Sequence, residues 1–256
     1  ERRRRWEKSG GRGKYKEPIA PNTSELPELP EGWCWTTVDQ VLENHDHARV
    51  PVKRADRGKR HGEFFYYGAS GVIDTIDDYL FDGSYVLLGE DGANLLARSK
   101  PIAFRAHGKF WVNNHAHILK TYLELPLGYM EAFFNATNLA AYVTGTAQPK
   151  LPQGAMNTIP VPFPPAFEQE RIVAQTDGLL TIADALASEV RRQAIRGQRL
   201  RQSILKWAFE GKLADQDPSD EPAAVLLARV KAERNASGVK SKDKKRRLAS
   251  RVSVET

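Results

Sequence analysis

The chain has 256 residues, 41% of them hydrophobic, which is enough for a globular domain and a further extended element, and its formal net charge is +6. No run of about 18 apolar residues occurs and no apolar segment follows the basic opening ERRRRWEKSGG, so neither a membrane span nor a secretory signal is predicted and we expect a cytoplasmic protein. The single cysteine excludes an internal disulfide and a thiolate metal site, which agrees with a reducing compartment.

The opening segment, residues 1–30, is charged and contains glycine and proline but almost no apolar periodicity, so we predict a flexible linker. Residues 1–16 contain eight lysines and arginines and two acids, and residues 229–251 contain ten and two. Residues 17–228 instead hold 20 basic and 27 acidic groups. Because this body is acidic, binding of nucleic acid has to depend on a local basic surface and not on the net charge.

Residues 31–165 have the pattern of a compact α+β domain that is rich in strands. EFFYYGAS and SYVLLGED are short aromatic and β-branched runs bounded by glycine and aspartate, which is typical of strands. IAFRAHGKFWVNNHAHILKTYL predicts a meander, with a strand, a tight turn at His107 and Gly108, a second strand and a third. GYMEAFFNATNLAAYV has near-helical apolar spacing and predicts one helix.

A long helix is predicted for residues 166–213, after the prolines of IPVPFPPAFEQE. Apolar residues recur every seven positions, which is typical of a coiled coil, although Gln193 and Gly197 weaken the pattern. The helix would be about 70 Å long, and it needs a partner because a lone amphipathic helix leaves its apolar stripe in water. The predicted helix–helix interface, here called the seam, comprises Ile172, Leu179, Ala183, Leu186, Val190, Leu200 and Ile204.

The end of the chain predicts two further segments. An aspartate and proline turn precedes a short C-terminal helix within residues 214–235. Residues 236–256 are charged and poor in apolar groups, so we expect a disordered basic tail.

Motifs for enzyme chemistry are not found. The sequence has no Gly-rich phosphate loop, and no G-x-G-x-x-G follows a strand. His115 and His117 would share one face of a strand, but zinc needs three or four converging ligands, and polar groups on a sheet face are more common. Adjacent Glu90 and Asp91 are expected to bracket a turn. We therefore predict no catalytic residue, metal or cofactor, although an unrecognised enzyme site around these four residues stays an alternative.

Four segments carry a resemblance to a known family. YYGASGVIDTIDDYLFDGSYVLLGEDGANL, GKFWVNNHAHIL, TGTAQPKL and IPVPFPPAFEQERIV resemble, in this order, the target-recognition domain and following helix of the specificity subunit of Type I restriction-modification systems. The resemblance covers roughly residues 28–235. It implies a mixed, β-rich DNA-recognition domain followed by a long coiled-coil-forming α-helix, in an α+β fold.

The resemblance also implies a function and partners. Members are non-catalytic and read double-stranded DNA, each recognition domain binding one half of a bipartite target while the long helices pair as a spacer. Methyltransferase (modification) subunits, which bind S-adenosylmethionine and methylate adenine at N6, and a restriction/translocase subunit assemble on them. With one domain and one helix, this chain resembles the C-terminal half of a longer subunit; a natural half that pairs as a homodimer is the second option.

The best candidate for DNA contact is the basic stretch ARVPVKRADRGKRHGEF, since loop arginines can clamp phosphates or bind guanine, although a solvated charge run is about equally common for any one member. One of the two adjacent tyrosines after it is expected to face inward, and amides elsewhere can bind adenine. The predicted DNA-binding residues are Arg49, Lys53, Arg54, Arg57, Lys59, Arg60, His61, Tyr67, Asn94, Arg98, Lys100, Asn113, Asn114, Gln148 and Lys150.

A different class of function remains open from the sequence. The chain could be a helical adaptor or scaffold protein whose domain binds protein and whose basic ends bind nucleic acid without sequence preference. Removal of residues 1–16 and 236–256 separates the two hypotheses, because sequence preference survives only if the domain itself binds DNA.

Overall fold

The structure is a computed structural model that describes residues 1–8, 10 and 14–236. The chain divides after Asp184 into a first unit, Glu1–Asp184, and a second unit that begins at Ala185. The strands are β1 (Cys34–Thr37), β2 (Leu42–Asn44), β3 (Phe64–Gly68), β4 (Gly71–Ile76), β5 (Phe81–Gly89), β6 (Ala103–Val112), β7 (Ala116–Thr121) and β8 (Pro160–Phe163). The helices are α1 (Arg2–Lys8), α2 (Val38–Val41), α3 (Arg54–Arg57), α4 (Asn94–Ala97), α5 (Leu127–Ala136), α6 (Gln153–Asn157), α7 (Ala166–Phe209) and α8 (residues 223–236).

The first unit is built on a six-stranded sheet in the order β2-β7-β5-β6-β3-β4. All its neighbours are antiparallel except β3 and β6, which run parallel. β1 and β8 form a separate antiparallel pair, which places the end of the domain beside its beginning. This mixed sheet, followed by the long helix α7, confirms the predicted α+β class.

The two faces of the sheet bury different clusters, because alternate residues of each strand point to opposite sides. One face carries an aromatic cluster around Phe81, Tyr85 and Phe110. The other packs against α5 and α7 through the largest core cluster, which includes Val86, Leu119 and Phe134. Tyr66, Ile76 and Trp111 form a third cluster near the sheet edge.

The predicted turn at His107 and Gly108 is wrong, because β6 continues through both residues. Gly108 has a φ of +74° and lies opposite Gly83, whose φ is +134°, so the pair allows a distortion inside two long strands and not a reversal of the chain. The predicted meander of consecutive paired strands is also wrong. β6 and β7 lie on opposite sides of β5 and do not pair with each other.

The predicted flexible linker, residues 1–30, contains a helix that contacts the domain. In α1, Arg2 forms an ion pair with Asp39 at 2.9 Å and Arg5 one with Glu43 at 2.5 Å. The sequence did not indicate this helix, because the acids that hold α1 lie more than 30 positions away and leave no local pattern in the opening segment.

The predicted helix of GYMEAFFNATNLAAYV corresponds to α5, which ends at Ala136. Arg98, predicted to bind DNA, is used here instead: its Nη1 donates to the carbonyl oxygen of Phe134 at 3.1 Å, and Nη2 contacts that of Thr137. The last carbonyl groups of a helix have no partner within the helix, so a cation at this position stabilises α5.

The start of α7 is held firmly by the first unit. Gln169 is 1% exposed and donates from Nε2 to the carbonyl oxygen of Pro164 at 3.0 Å. Arg105 of β6 contacts both oxygens of Asp177 at 3.1 Å. Ile172, which the heptad pattern assigned to the seam, packs against the largest core cluster instead, because the first turns of α7 cover the domain. The first turns of α7 therefore belong to the first unit.

The long helix ends at Phe209, four residues before the predicted end. Gly211, with a φ of +69°, donates to the carbonyl oxygen of Ala208, and Lys212 donates to that of Trp207 at 2.8 Å. This pair of bonds is a Schellman motif, which glycine favours because it adopts a positive φ without strain. Seam residues beyond Ile172 are exposed, with Leu179 at 69% and Leu186 at 64%.

The predicted C-terminal helix is present as α8, which begins at residue 223 after the aspartate and proline turn. Apart from residue 236, the predicted disordered tail lies outside the described residues. Within the described part of the chain, no helix combines the length and the apolar character that a membrane crossing requires.

Candidate nucleic-acid interface

The basic stretch forms a loop, residues 49–62, here called the basic loop. Two aromatic side chains of the sheet hold its backbone: Tyr66 Oη accepts from the Val52 amide at 3.1 Å, and Trp111 Nε1 donates to the Val50 carbonyl oxygen at 2.7 Å. At its end, a Cβ on Gly62 would lie 2.3 Å from Asp77 Cα. The loop therefore lies close against the sheet, and only glycine fits at position 62, where the loop leads back into the sheet.

Two arginines of the basic loop point inward and anchor it. Arg57 Nε lies 3.0 Å from Asp74 Oδ2, and its guanidinium group lies 4.6 Å from the centre of the Tyr66 ring. Arg60 Nη2 lies 2.8 Å from Asp77, and its guanidinium group covers the Trp111 ring. Both were predicted to contact DNA; here acids and aromatic rings of the sheet already bind them.

The remaining cations of the basic loop point to solvent. Lys53, Arg54 and Lys59, here called the exposed triplet, are all exposed, as is His61. Among the described residues, none of these four side chains makes a hydrogen bond or an ion pair. A positive surface with free donors is what phosphate oxygens bind, so the structure keeps these four as candidates for DNA contact.

Arg49, the first residue of the basic loop, belongs to a buried ion network. Its Nη1 lies 2.5 Å from Glu90 Oε2 and donates to the Ala116 carbonyl oxygen at 2.8 Å. Lys150 Nζ lies 3.0 Å from the other oxygen of Glu90. The side chain of Arg49, predicted to contact DNA, is only 14% exposed and fixes one end of the loop.

His117 extends this network through both of its ring nitrogens. Nε2 lies 2.9 Å from the carbonyl oxygen of Leu151, which can only accept a hydrogen bond. Nδ1 lies 2.6 Å from Asp46 Oδ2, another acceptor. Both ring nitrogens therefore face hydrogen-bond acceptors of the fold. The sequence placed His117 in a possible enzyme site, but its nitrogens are both occupied by the fold.

The carboxylates of the network are held in their ionised form. Burial raises the pKa of Asp46, but the hydrogen bond and charge of His117, together with hydrogen bonds from Asn44 and the Ile118 amide, leave the pKa below its usual value. Burial also raises the pKa of Glu90, and the hydrogen bond of Arg49, the charge of His117 and the hydrogen bond of Lys150 lower it further than burial raises it. The network therefore pairs two carboxylates with the cations Arg49 and Lys150 and with His117.

Ligand atoms of Asp46, Glu90 and His117 lie within 4.8 Å of one another, close enough to hold a metal ion. Arg49 and Lys150, however, already place positive charge on both oxygens of Glu90. The donor set therefore fits an ion network better than a metal centre, since a metal ion would have to displace these two cations.

Acid should weaken the fold through this network. Because the folded pKa values of Asp46 and Glu90 are lowered, their stabilisation is complete above the ordinary values of 3.8 and 4.5 and is lost as pH falls through the folded values. We expect Glu90→Gln to reduce the dependence of the free energy of unfolding on pH, measured by urea unfolding between about pH 3 and 7. Asp56→Asn, at an exposed position, is the control. Identical pH dependence in wild type and Glu90→Gln would contradict the assignment.

One end of the sheet gathers several other polar residues into a surface here called the rim, residues 68–70, 90–92, 113–116 and 144–151. The Asn113 amide donates to the Tyr67 carbonyl oxygen at 3.1 Å, and the Glu90 amide to that of His115 at 2.8 Å. The Leu151 amide donates to the Glu90 carbonyl oxygen at 2.7 Å. These bonds join four segments that are far apart in the sequence.

The rim brings together some of the predicted DNA-binding residues. Asn114, Gln148 and Lys150 are exposed there, whereas Asn113 is buried and its Oδ1 accepts from the His115 amide at 2.8 Å. His115, not predicted to contact DNA, is also partly exposed at the rim, where Asp91 binds it. The only sequence indication was the run of polar residues NNHAH between two apolar segments.

Besides Arg98, three predicted residues lie outside the basic loop and the rim. Tyr67 is buried against Phe104 and Phe110, so its assignment to DNA is corrected to the core. Asn94 bonds the backbone of its own turn, with Nδ2 donating to the Lys100 carbonyl oxygen at 3.0 Å. Lys100 itself is exposed on that turn, outside the rim and the basic loop.

Comparisons with known proteins agree on one family. The family model described as Type I restriction modification DNA specificity domain matches residues 30–190. The specificity subunit of the type I restriction enzyme EcoDI from Escherichia coli is 26% identical over 238 residues, covering 87% of this chain and 53% of that protein. A Haemophilus influenzae chain whose name assigns it as a type I restriction enzyme specificity subunit is 32% identical over 163 residues, covering 63% and 41%.

The fold is shared with a solved structure. A chain from a study of complex assembly in a type I R-M system superposes with a TM-score of 0.57 at 18% identity, covering 74% of this chain and 49% of that one. The chain spans about half the length of the curated relatives that it matches. Because the family model covers more than half of its residues, the protein belongs to the family of Type I restriction modification DNA specificity domains.

Proposed function

We propose that the chain is the non-catalytic DNA-reading part of a Type I specificity subunit and that it binds one half of a bipartite duplex target. The observation that carries this is the exposed triplet, which is presented on a loop that the sheet anchors at Arg49, Arg57 and Arg60. Because residues 17–228 are acidic overall, free cations at one fixed place favour a local DNA contact over general attraction.

The proposal includes the partner subunits. Methyltransferase subunits, with S-adenosylmethionine bound to them and not to this chain, would be positioned on adenine by the domain, and a restriction/translocase subunit would join the complex. Family membership supports this division of labour. The chain then needs no cofactor of its own, and further phosphate contacts can come from its partners.

A second specificity half is proposed to pair with α7 through the seam, either within a longer chain or in a homodimer. Leu179, Leu186 and Val190 are exposed at the required spacing. An apolar stripe of this kind is stable in water only when another helix covers it. Such pairing would hold two recognition domains at a fixed distance on DNA.

A seam substitution tests the pairing. Leu186→Glu places a charge at the helix–helix contact and is expected to abolish association, whereas Ser188→Glu, two positions along on the opposite side of the heptad, should not. The measurement is sedimentation equilibrium of the purified chain, or of the chain mixed with a separately expressed first half. If both variants associate as strongly as the wild-type chain does, the assignment of the seam as the helix–helix interface is contradicted.

The proposed function is tested by selection from a pool of randomised DNA duplexes. We expect the purified chain to enrich one short sequence, and to do so without residues 1–16 and 236–256. An adaptor with nonspecific basic ends would enrich no sequence and would lose all binding on trimming. The N-terminal segment gives one argument against that alternative. Arg2 and Arg5 form ion pairs with Asp39 and Glu43, so acids of the domain already bind two of the basic residues that would have to bind nucleic acid.

The enzyme alternative also has a direct test. Glu90 and His117 are buried and bonded within the ion network, which leaves Asp91 and His115 as the partly exposed pair. Methylation of DNA is measured with the chain alone and with a modification subunit added. Activity of the chain alone would overturn its assignment as non-catalytic.

A further inference from the structure

The rim and the basic loop differ in chemistry although they adjoin. The exposed triplet is cationic, whereas the exposed side chains of the rim include the amides Asn114 and Gln148 and the imidazole His115. Arg49 connects the two, because it begins the basic loop and donates to the carbonyl oxygen of Ala116, a residue of the rim. Cations bind phosphate irrespective of sequence, whereas amides and imidazoles match the hydrogen-bonding edges of bases.

His115 is the rim residue with the most defined orientation. Its Nδ1 lies 2.9 Å and 2.8 Å from the two carboxylate oxygens of Asp91. A carboxylate accepts hydrogen bonds, so Nδ1 carries a proton, and in the neutral ring Nε2 is then an acceptor. The His115 side chain is 46% exposed, while Asp91 is only 17% exposed. Among the described residues, nothing bonds Nε2.

We propose that His115 contacts the edge of one base in the DNA half-site, with Nε2 accepting a hydrogen bond from an exocyclic amino group, and that Asp91 is its positioning residue. This inference rests on the proposed function and adds a specificity-determining residue to it. Adenine N6 and cytosine N4 are the amino groups that the major groove presents. The exposed triplet then supplies phosphate contacts.

The backbone around His115 is suited to such a role. The His115 carbonyl oxygen accepts from Glu90, and its amide donates to the buried Asn113 side chain. The backbone of Asp91 forms an antiparallel β-bridge with that of Lys150 in the neighbouring segment. The imidazole is thus carried on backbone that is bonded on both sides, and a base contact demands such a fixed position.

The test compares duplex selection by five forms of the full chain. His115→Ala is expected to lose preference at one base pair, with about tenfold lower discrimination there, and Asp91→Ala to weaken preference at the same pair. His115→Gln, which keeps an acceptor, should retain part of it. His107→Ala is the matched control, since His107 is also an exposed histidine but lies in the middle of β6 beside Ser84. Thermal unfolding checks that each variant folds.

The outcomes separate this inference from the proposed function. A wild-type motif that changes at one position in His115→Ala, and not in His107→Ala, supports the base contact. A wild-type motif that His115→Ala reproduces unchanged overturns it and leaves the proposed function intact. A wild-type chain that enriches no sequence overturns both. Uniform weakening at every position would assign His115 to a phosphate contact and would also overturn the inference.

Discussion

Replacing Arg49 with methionine is expected to lower the free energy of unfolding by about 3–5 kcal/mol, as is typical when one partner of a buried ion pair is removed. Methionine keeps much of the volume of the side chain but none of its charge. Glu90 and Asp46, whose side chains are 10% and 8% exposed, would then lose their contact with the guanidinium group. Protonation of these acids would recover only part of this loss.

Urea unfolding at neutral pH measures this effect. Arg54→Met, on the exposed part of the same loop, is the matched control and should change stability by no more than about 0.5 kcal/mol. We also expect Arg49→Met to weaken DNA binding, because the anchor of the basic loop is lost. A stability change as small as that of the control would show that the ion network contributes little to the fold.

Neutralising the exposed triplet is expected to have the largest effect on DNA binding. If each of Lys53, Arg54 and Lys59 contacts one phosphate, replacing all three with glutamine reduces the slope of log affinity against log salt by about 2.7. The affinity itself should fall about 10²- to 10³-fold near 0.1 M salt. The folded state should be nearly unaffected, since none of the three has a side-chain bond among the described residues.

Fluorescence anisotropy over a range of salt concentrations provides the measurement. Replacing Arg191, Arg196 and Arg199 of α7 with glutamine removes the same charge from exposed positions outside the basic loop and is the matched control. We expect its salt slope to equal that of wild type. Equal losses in the two triple variants would mean that only net charge matters and that the basic loop is not the DNA contact.

Much of the fold was predictable because its determinants are local. The apolar runs around Tyr66 and Val86 became strands β3 and β5, and the helix after Pro165 formed as expected. The turn at Gly108 was wrong because the partner of that glycine, Gly83, lies 25 positions earlier in the chain. A glycine facing a glycine allows a strand to distort, and this pairing is visible only once the sheet is formed.

The candidate site was predictable as a region and not residue by residue. The charge of the basic stretch was evident, but Arg57 and Arg60 find Asp74 and Asp77, each 17 positions away, through the register of β4. Arg49 forms its ion pair with Glu90, which lies 41 positions away in the sequence. Sequence shows which side chains carry charge, whereas tertiary structure decides which of them are already neutralised and which remain exposed.

The most direct measurement of the central claim is a genome-wide map of N6-methyladenine in the organism that encodes this chain, with and without its gene. We predict methylation at a bipartite motif whose two parts are separated by a fixed gap, and loss or alteration of that motif when the gene is deleted. The same map in both strains, or a motif without a gap, would contradict the account.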